Sequence, residues 1–133
     1  MIVVDTNVIA YLLIPGVRTD RAKAALRKDP HWAAPLLWRS EFRNVLTFYL
    51  HQEEFTLNQA ILFMQEAELL MHGGEYEVTS SQVLSLTASS TCSAYDCEFV
   101  ALAQELGVPL ITSDARILAD FPSTAISLDE YIS

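Results

Sequence analysis

Two spacings of apolar residues alternate along this chain. Short apolar runs rich in β-branched residues read as buried strands: IVVD at 2–5, a brief strand around 32–34 in HWAAPLLW, VPLIT at 108–112 and TAIS at 124–127. EYEV at 75–78 alternates in polarity and reads as a further strand. Between them the spacing lengthens to that of helices. NVIAYLL is a short one ended near Pro15-Gly16, and TDRAKAALRKD, with Thr19 or Asp20 as its cap, runs as a basic amphipathic helix to Pro30. Pro35 suits a first helical turn, so PLLWRSEFRNVLTFYL is expected to be a long helix starting there. A helix over 56–71 is capped by Thr56 and stopped by Gly73-Gly74. Thr79 and Gln82 stand at capping-box spacing before another, SAYDCEFVALAQEL ends at Gly107, and SDARIL forms a short helix.

Strands that alternate with helices imply an α/β fold, here a three-layer sandwich with a short central, mainly parallel sheet covered by helices. No repeat, linker or low-complexity segment divides residues 1–133, which read as a single domain. Ligands of such folds bind outside the carboxyl ends of the strands. Asp5 and Asp114 stand at two of those ends, in IVVD and LITSD.

Composition narrows the classes. With 51% hydrophobic and 19% charged residues, disorder is excluded as a reading. No apolar run reaches the length of about 18 residues that a membrane span needs. Asp5 interrupts the N-terminal apolar stretch and no basic region precedes it, unlike a secretory leader. Cys92 and Cys97 are therefore expected to be thiols in a reducing cytoplasm. The net charge of −9 is lopsided: residues 1–43 carry +3 and residues 44–133 carry −12. Such acidity argues against charge-driven nucleic-acid binding and leaves a metal site or a basic partner as its use.

Two further carboxylates stand out. On a helical wheel Glu41 shares a face with Leu37, Trp38, Asn44, Val45 and Phe48, and is expected on a core-facing stripe. An ionised carboxylate there is costly unless paired or metal-bound. Asp96 shares its face with Phe99, Val100 and Ala103, although Ser93 and Asp96 also have capping-box spacing. Asp5 and Asp114 each precede a helix and could equally be caps. If the helices pack beside the strand ends, all four acids meet in one cleft, and their repulsion should raise at least one pKa. Oxygen ligands without a His or Cys cluster suit Mg²⁺ or Mn²⁺, and His31, His51 and His72 are scattered.

The order Asp5, Glu41, Asp96, Asp114, in the settings IVVDTNV, LWRSEFRNVL, SAYDCEFVALA and PLITSDARIL, resembles the PIN-domain ribonucleases, and in style the VapC-type toxins of toxin–antitoxin pairs. The resemblance spans nearly the whole chain. It implies a Mg²⁺- or Mn²⁺-dependent RNA endonuclease that uses metal-activated water and leaves 3′-hydroxyl and 5′-phosphate ends. It also implies a homodimer inhibited by an antitoxin whose tail fills the site. The four acids then become the catalytic and metal-binding quartet, with Thr6 and Ser113 as supporting hydroxyls and Asn7 assigned to the turn. Arg18, Arg21, Lys23, Arg27 and Lys28 are candidates for holding RNA phosphates; Arg39 and Arg43, opposite Glu41, are candidates for a dimer or antitoxin contact. Trp32 and Trp38 could stack bases, though core packing is the stronger reading for Trp38. A non-catalytic PIN-like protein- or RNA-binding module is the alternative. An aspartate-based phosphotransferase ranks lower, because the second aspartate it needs two residues after the first is Asn7 here.

Overall fold

The computed structural model describes residues 1–133. Five strands, β1 (Ile2–Val4), β2 (Trp32–Pro35), β3 (Glu75–Tyr76), β4 (Leu110–Thr112) and β5 (Ala125–Ser127), form one sheet in the order β3-β2-β1-β4-β5, every pair parallel. Eight helices flank it: α1 (Thr6–Leu13), α2 (Thr19–Lys28), α3 (Trp38–His51), α4 (Leu57–Leu70), α5 (Ser80–Ala88), α6 (Ala94–Leu106), α7 (Ala115–Asp120) and α8 (Leu128–Ile132). Helix α6, backed by α5, packs on β1, β2 and β4; α1, α2 and α8 pack together and reach the sheet at β4 and β5. The strands β1 and β4 are buried throughout, as parallel strands between helical layers must be.

Several element ends differ from the sequence reading. Pro35 closes β2 rather than opening α3. The flanking Ala34 and Leu36 donate to Gly74 and Tyr76 of the β3 side, so the Pro35 nitrogen faces the β1 side, where pairing ends at Ala33 and no donor is required. Strand β4 starts only at Leu110, because Val108 donates back to Ala103 while Gly107 takes the left-handed conformation (φ 67°) that closes α6. Strand β3 shrinks to two residues. Thr79 precedes α5 without a side-chain capping bond, and Gln82 donates to Gln104 on α6 instead. The capping box lies at Thr56 and Gln59, where both reciprocal bonds form. Helix α8 is absent from the sequence reading, although Ser127 accepts from the Glu130 amide at the same spacing.

One close approach fixes the β3 side of the sheet. A Cβ on Gly74 would lie 2.1 Å from the Trp32 carbonyl oxygen, so only glycine lets the chain enter β3 against β2. The next residue, Glu75, accepts from Trp38 Nε1 (2.8 Å) and from Arg39, tying β3 to the first turn of α3 three residues before Glu41. Trp38 is fully buried, so Glu75→Ala strands its indole N–H and is expected to destabilise the fold by about 1–3 kcal/mol. Glu75→Gln, which keeps an acceptor, should do less harm. Arg39 above all, then Trp38, holds the Glu75 carboxyl below its ordinary value. Its charge-dependent stabilisation is therefore present above the ordinary glutamate pKa and lost as pH falls through the depressed one. Urea melts of both variants should approach the parent in acid; equal stabilities at pH 7 would refute the anchoring role.

Candidate active site

The sheet order changes direction between β1 and β4, which places the crevice for a ligand at their carboxyl ends. Val4 pairs with Ile111, and the Asp5 amide donates to the Ile111 carbonyl (3.0 Å). Asp5 and Asp114 therefore leave neighbouring central strands on the same side. A cleft of about 530 Å³ opens there. It is lined by Asp5, Thr6 and Asn7 at the start of α1, by Leu37, Ser40, Glu41, Asn44 and Val45 before and along α3, by Tyr95 and Asp96 on α6, and by Asp114 before α7. All four predicted acids are half-buried in its wall, and no Lys or Arg lines it.

Each carboxylate is held differently. Asp5 stands before α1 but makes no capping bond; its Oδ2 accepts from the Thr112 hydroxyl (2.7 Å). Glu41 Oε1 accepts from the Thr6 hydroxyl (2.7 Å). Asp114 is a true cap, since its Oδ1 accepts from the amides of Arg116 (2.9 Å) and Ile117 (3.0 Å). The Asp96 amide donates to Ser93, but the reciprocal half of the box is not made, so the Asp96 carboxylate is left to the cleft. Each acid thus keeps at least one oxygen without a protein hydrogen bond.

Burial, more than repulsion, sets the electrostatics. Burial pushes the Asp5 carboxyl above its ordinary value, opposed by the Thr112 hydroxyl and reinforced by Asp114 and Asp96. Burial likewise raises Glu41, against the Thr6 hydrogen bond and with repulsion from Asp5, Asp96 and Glu98. The mutual repulsion expected from sequence is present, but it ranks behind desolvation.

Glu41 does not lie on the core stripe. The residues of α3 that enter the core are Trp38, Phe42 and Leu46, about 100° around the helix from Glu41. Glu41 occupies the flank, where Asn44 and Phe48 are exposed and Val45 half-buried. Ser113, the expected supporting hydroxyl, is exposed and pairs with the Tyr11 hydroxyl (2.9 Å) outside the cleft. Its neighbour Thr112 does that work: fully buried, it donates to Asp5 and accepts from the Asp114 amide (3.0 Å). A hydroxyl inside the otherwise apolar VPLIT strand was the available signal, since a buried hydroxyl needs a partner.

The tryptophans and several cations also depart from expectation. Trp38 and Trp32 are core residues, 0% and 3% exposed, and neither offers a face to a base. Arg39 binds Glu68 and Glu75 within the chain and is not free for a dimer or antitoxin contact, whereas Arg43 is exposed. Arg21 pairs with Asp129, and Lys28 caps the Tyr131 ring and donates to the Tyr131 carbonyl. Cys92 and Cys97 are buried free thiols; burial and Asp120 push Cys92 up to about 12, so it stays protonated and unreactive.

The donor set of the cleft suits a hard divalent cation. Oxygen-only ligands, four acids in one cleft and no competing protein cation all fit. The acids line the cleft rather than close into a cage, because no three acidic, histidine or cysteine side chains meet as a ready-made ion site. That spacing suits Mg²⁺ or Mn²⁺ held by few carboxylates, with waters and phosphate oxygens completing the shell.

Comparison with known proteins gives the family. The PIN domain profile matches residues 2–122. The chain belongs to the PIN domain family. Solved structures share the PIN fold at low identity. FitAcB from Neisseria gonorrhoeae aligns with a TM-score of 0.76 at 17% identity, covering 96% of this chain and 98% of that one. A toxin–antitoxin complex from Klebsiella pneumoniae aligns at 0.69 and 20%, covering 96% and 98%. A protein from Pyrobaculum aerophilum aligns at 0.73 and 17%, covering 98% and 92%. No curated protein matches the chain by sequence. No helix of this PIN domain is long and apolar enough to cross a membrane.

Proposed function

We propose that the chain is one PIN nuclease domain, a Mg²⁺- or Mn²⁺-dependent endoribonuclease that serves as the toxin of a toxin–antitoxin pair. The observation that carries this reading is the cleft itself: four acids from four separate elements line it and no basic residue does. PIN domains are in general nucleases, and two of the similar folds are FitAcB and a toxin–antitoxin complex. Cytoplasmic location, a homodimer and inhibition by an antitoxin belong to the same proposal.

Asp5, Glu41, Asp96 and Asp114 would hold the cation. When bound, it supplies positive charge to a phosphoryl oxygen and acidifies water at the scissile bond. The chain's own part is to fix the ligands. Thr112 aims Asp5 and supports the Asp114 turn, and Thr6 aims Glu41. Such supporting hydrogen bonds keep ligand oxygens in place through the reaction.

The test is direct. Purified protein is expected to cut single-stranded RNA internally with Mg²⁺ or Mn²⁺, leaving 5′-phosphate ends, and to stop when EDTA removes the metal. Failure to cut any RNA in a total cellular pool with either metal present would reject the enzyme reading and favour the non-catalytic module.

A further inference from the structure

Beside the cleft runs a second groove of about 250 Å³ that shares Asn7 and Val45 with it. Tyr11 and Arg18 are among the residues that line it. Asn7 and Tyr11 lie four residues apart on α1, so this groove reaches about 6 Å beyond the cleft wall. Tyr11 and Arg18 also wall a third depression of about 210 Å³, and so stand where the two grooves meet.

Arg18 is set apart from the other cations of this acidic chain. It is exposed, and its side chain makes neither a salt bridge nor a hydrogen bond. Its guanidinium is nevertheless positioned, 5.1 Å over the Tyr11 ring, and that ring is tethered through its hydroxyl to Ser113, the residue before Asp114. The rest of the basic segment is disposed otherwise. Ala22 and Ala25 are the buried residues of α2, so Lys23 and Arg27 project from the opposite side of the helix. Arg21 has Asp129, and Lys28 has Tyr131.

We infer that Arg18, seated on Tyr11, is a phosphate subsite for single-stranded RNA, binding the backbone next to the phosphate that enters the acidic cleft. This rests on the nuclease reading above. The four carboxylates repel a polyanion, so a strand that reaches them needs an attractive contact close by. A planar guanidinium already stacked on a ring meets a phosphate with little further ordering. The strand therefore runs from the cleft, past Asn7 and Val45, into the Arg18 groove. The outward Lys23 and Arg27 take no part, which narrows the five basic residues to one.

The experiment uses the full chain carrying Asp5→Asn, with Mg²⁺, and a fluorescently labelled mixed-sequence RNA of about 10 nucleotides, within the usual span of single-strand sites. Fluorescence anisotropy is recorded over a range of salt. Arg18→Ala is expected to weaken binding and to flatten the log–log salt slope by about 0.7, the value for one phosphate on a single strand. Arg18→Lys should restore most of the slope, and Lys23→Ala with Arg27→Ala should match the parent. An unchanged slope for Arg18→Ala, or an equal loss from the Lys23 and Arg27 pair, overturns the subsite while RNA binding by the parent still stands. A parent that binds no RNA removes the nuclease reading together with the subsite. An Arg18→Ala protein that keeps its RNA affinity but loses a protein inhibitor assigns the groove to that partner and overturns the subsite as well.

Discussion

Asp5→Asn is expected to lower metal-dependent RNA cleavage by more than about a hundredfold while leaving the fold intact. Residues that merely support metal ligands already cost about 10–100-fold when removed, and Asp5 is placed to be a ligand itself. The substitution keeps the size of the side chain and an oxygen that can accept from Thr112 Oγ1. It removes a charge that burial disfavours, so the loss should not come from unfolding. Thr112→Val is the companion variant. It keeps the buried volume but takes away the hydroxyl that serves both Asp5 and the Asp114 amide. It should cost about 10–100-fold in cleavage, with part of the loss recovered at higher metal concentration. Undiminished cleavage by Asp5→Asn would exclude Asp5 from the reaction. A loss that tracks a lower melting temperature would make its role structural. In a host arrested by the wild-type protein, Asp5→Asn should also restore growth, because the toxin reading makes arrest depend on cleavage.

How far the sequence discloses the site depends on the range of each contact. Asp5 and Asp114 were visible because a carboxylate that ends an apolar run is a local pattern, and the parallel sheet brings such ends together. Glu41 was visible as an acid among apolar neighbours, but its row turned out to be the flank of α3, since the sequence does not say which of two adjacent apolar rows meets the core. Ser113 and Thr112 illustrate a sharper limit. Adjacent strand residues point to opposite faces, and only the packed sheet reveals that Thr112 shares the face of Asp5. Arg39 was misplaced for another reason: its partners Glu68 and Glu75 lie 29 and 36 residues away, beyond any helical periodicity. By contrast, α8 was missed although its signal is local, for Ser127 and Glu130 repeat the cap spacing recognised at Thr79 and Gln82 and at Ser93 and Asp96. The start of β4 was not legible, because Gly107 claims Val108 for the helix terminus.

Without divalent metal, the protein should be less stable than its Asp5→Asn, Glu41→Gln variant at neutral pH, and the gap should close in acid. Burial raises both carboxyl groups above their ordinary values of 3.8 and 4.5. A group whose pKa is raised by folding binds its proton more tightly in the native state. Its stabilising contribution is therefore complete below the unfolded pKa and is lost as pH rises through the folded one. Comparison with the variant is needed because Glu75, Asp29 and Asp120 are shifted downward and lose their own contributions as pH falls. Those groups are common to both proteins and cancel. The difference in melting temperature should be near zero below about pH 4, widen as the two carboxyl groups ionise, and then level off. Divalent cation should reverse its sign. At a hundred times its dissociation constant, Mn²⁺ adds about 2.7 kcal/mol to the wild type by mass action. For a domain of this size that is a rise of about 10 °C, and the variant, with two ligands neutralised, should gain little of it. A gap independent of pH would mean that the two acids are not disfavoured by folding. An equal Mn²⁺ shift in both proteins would place the ion somewhere other than among these four carboxylates.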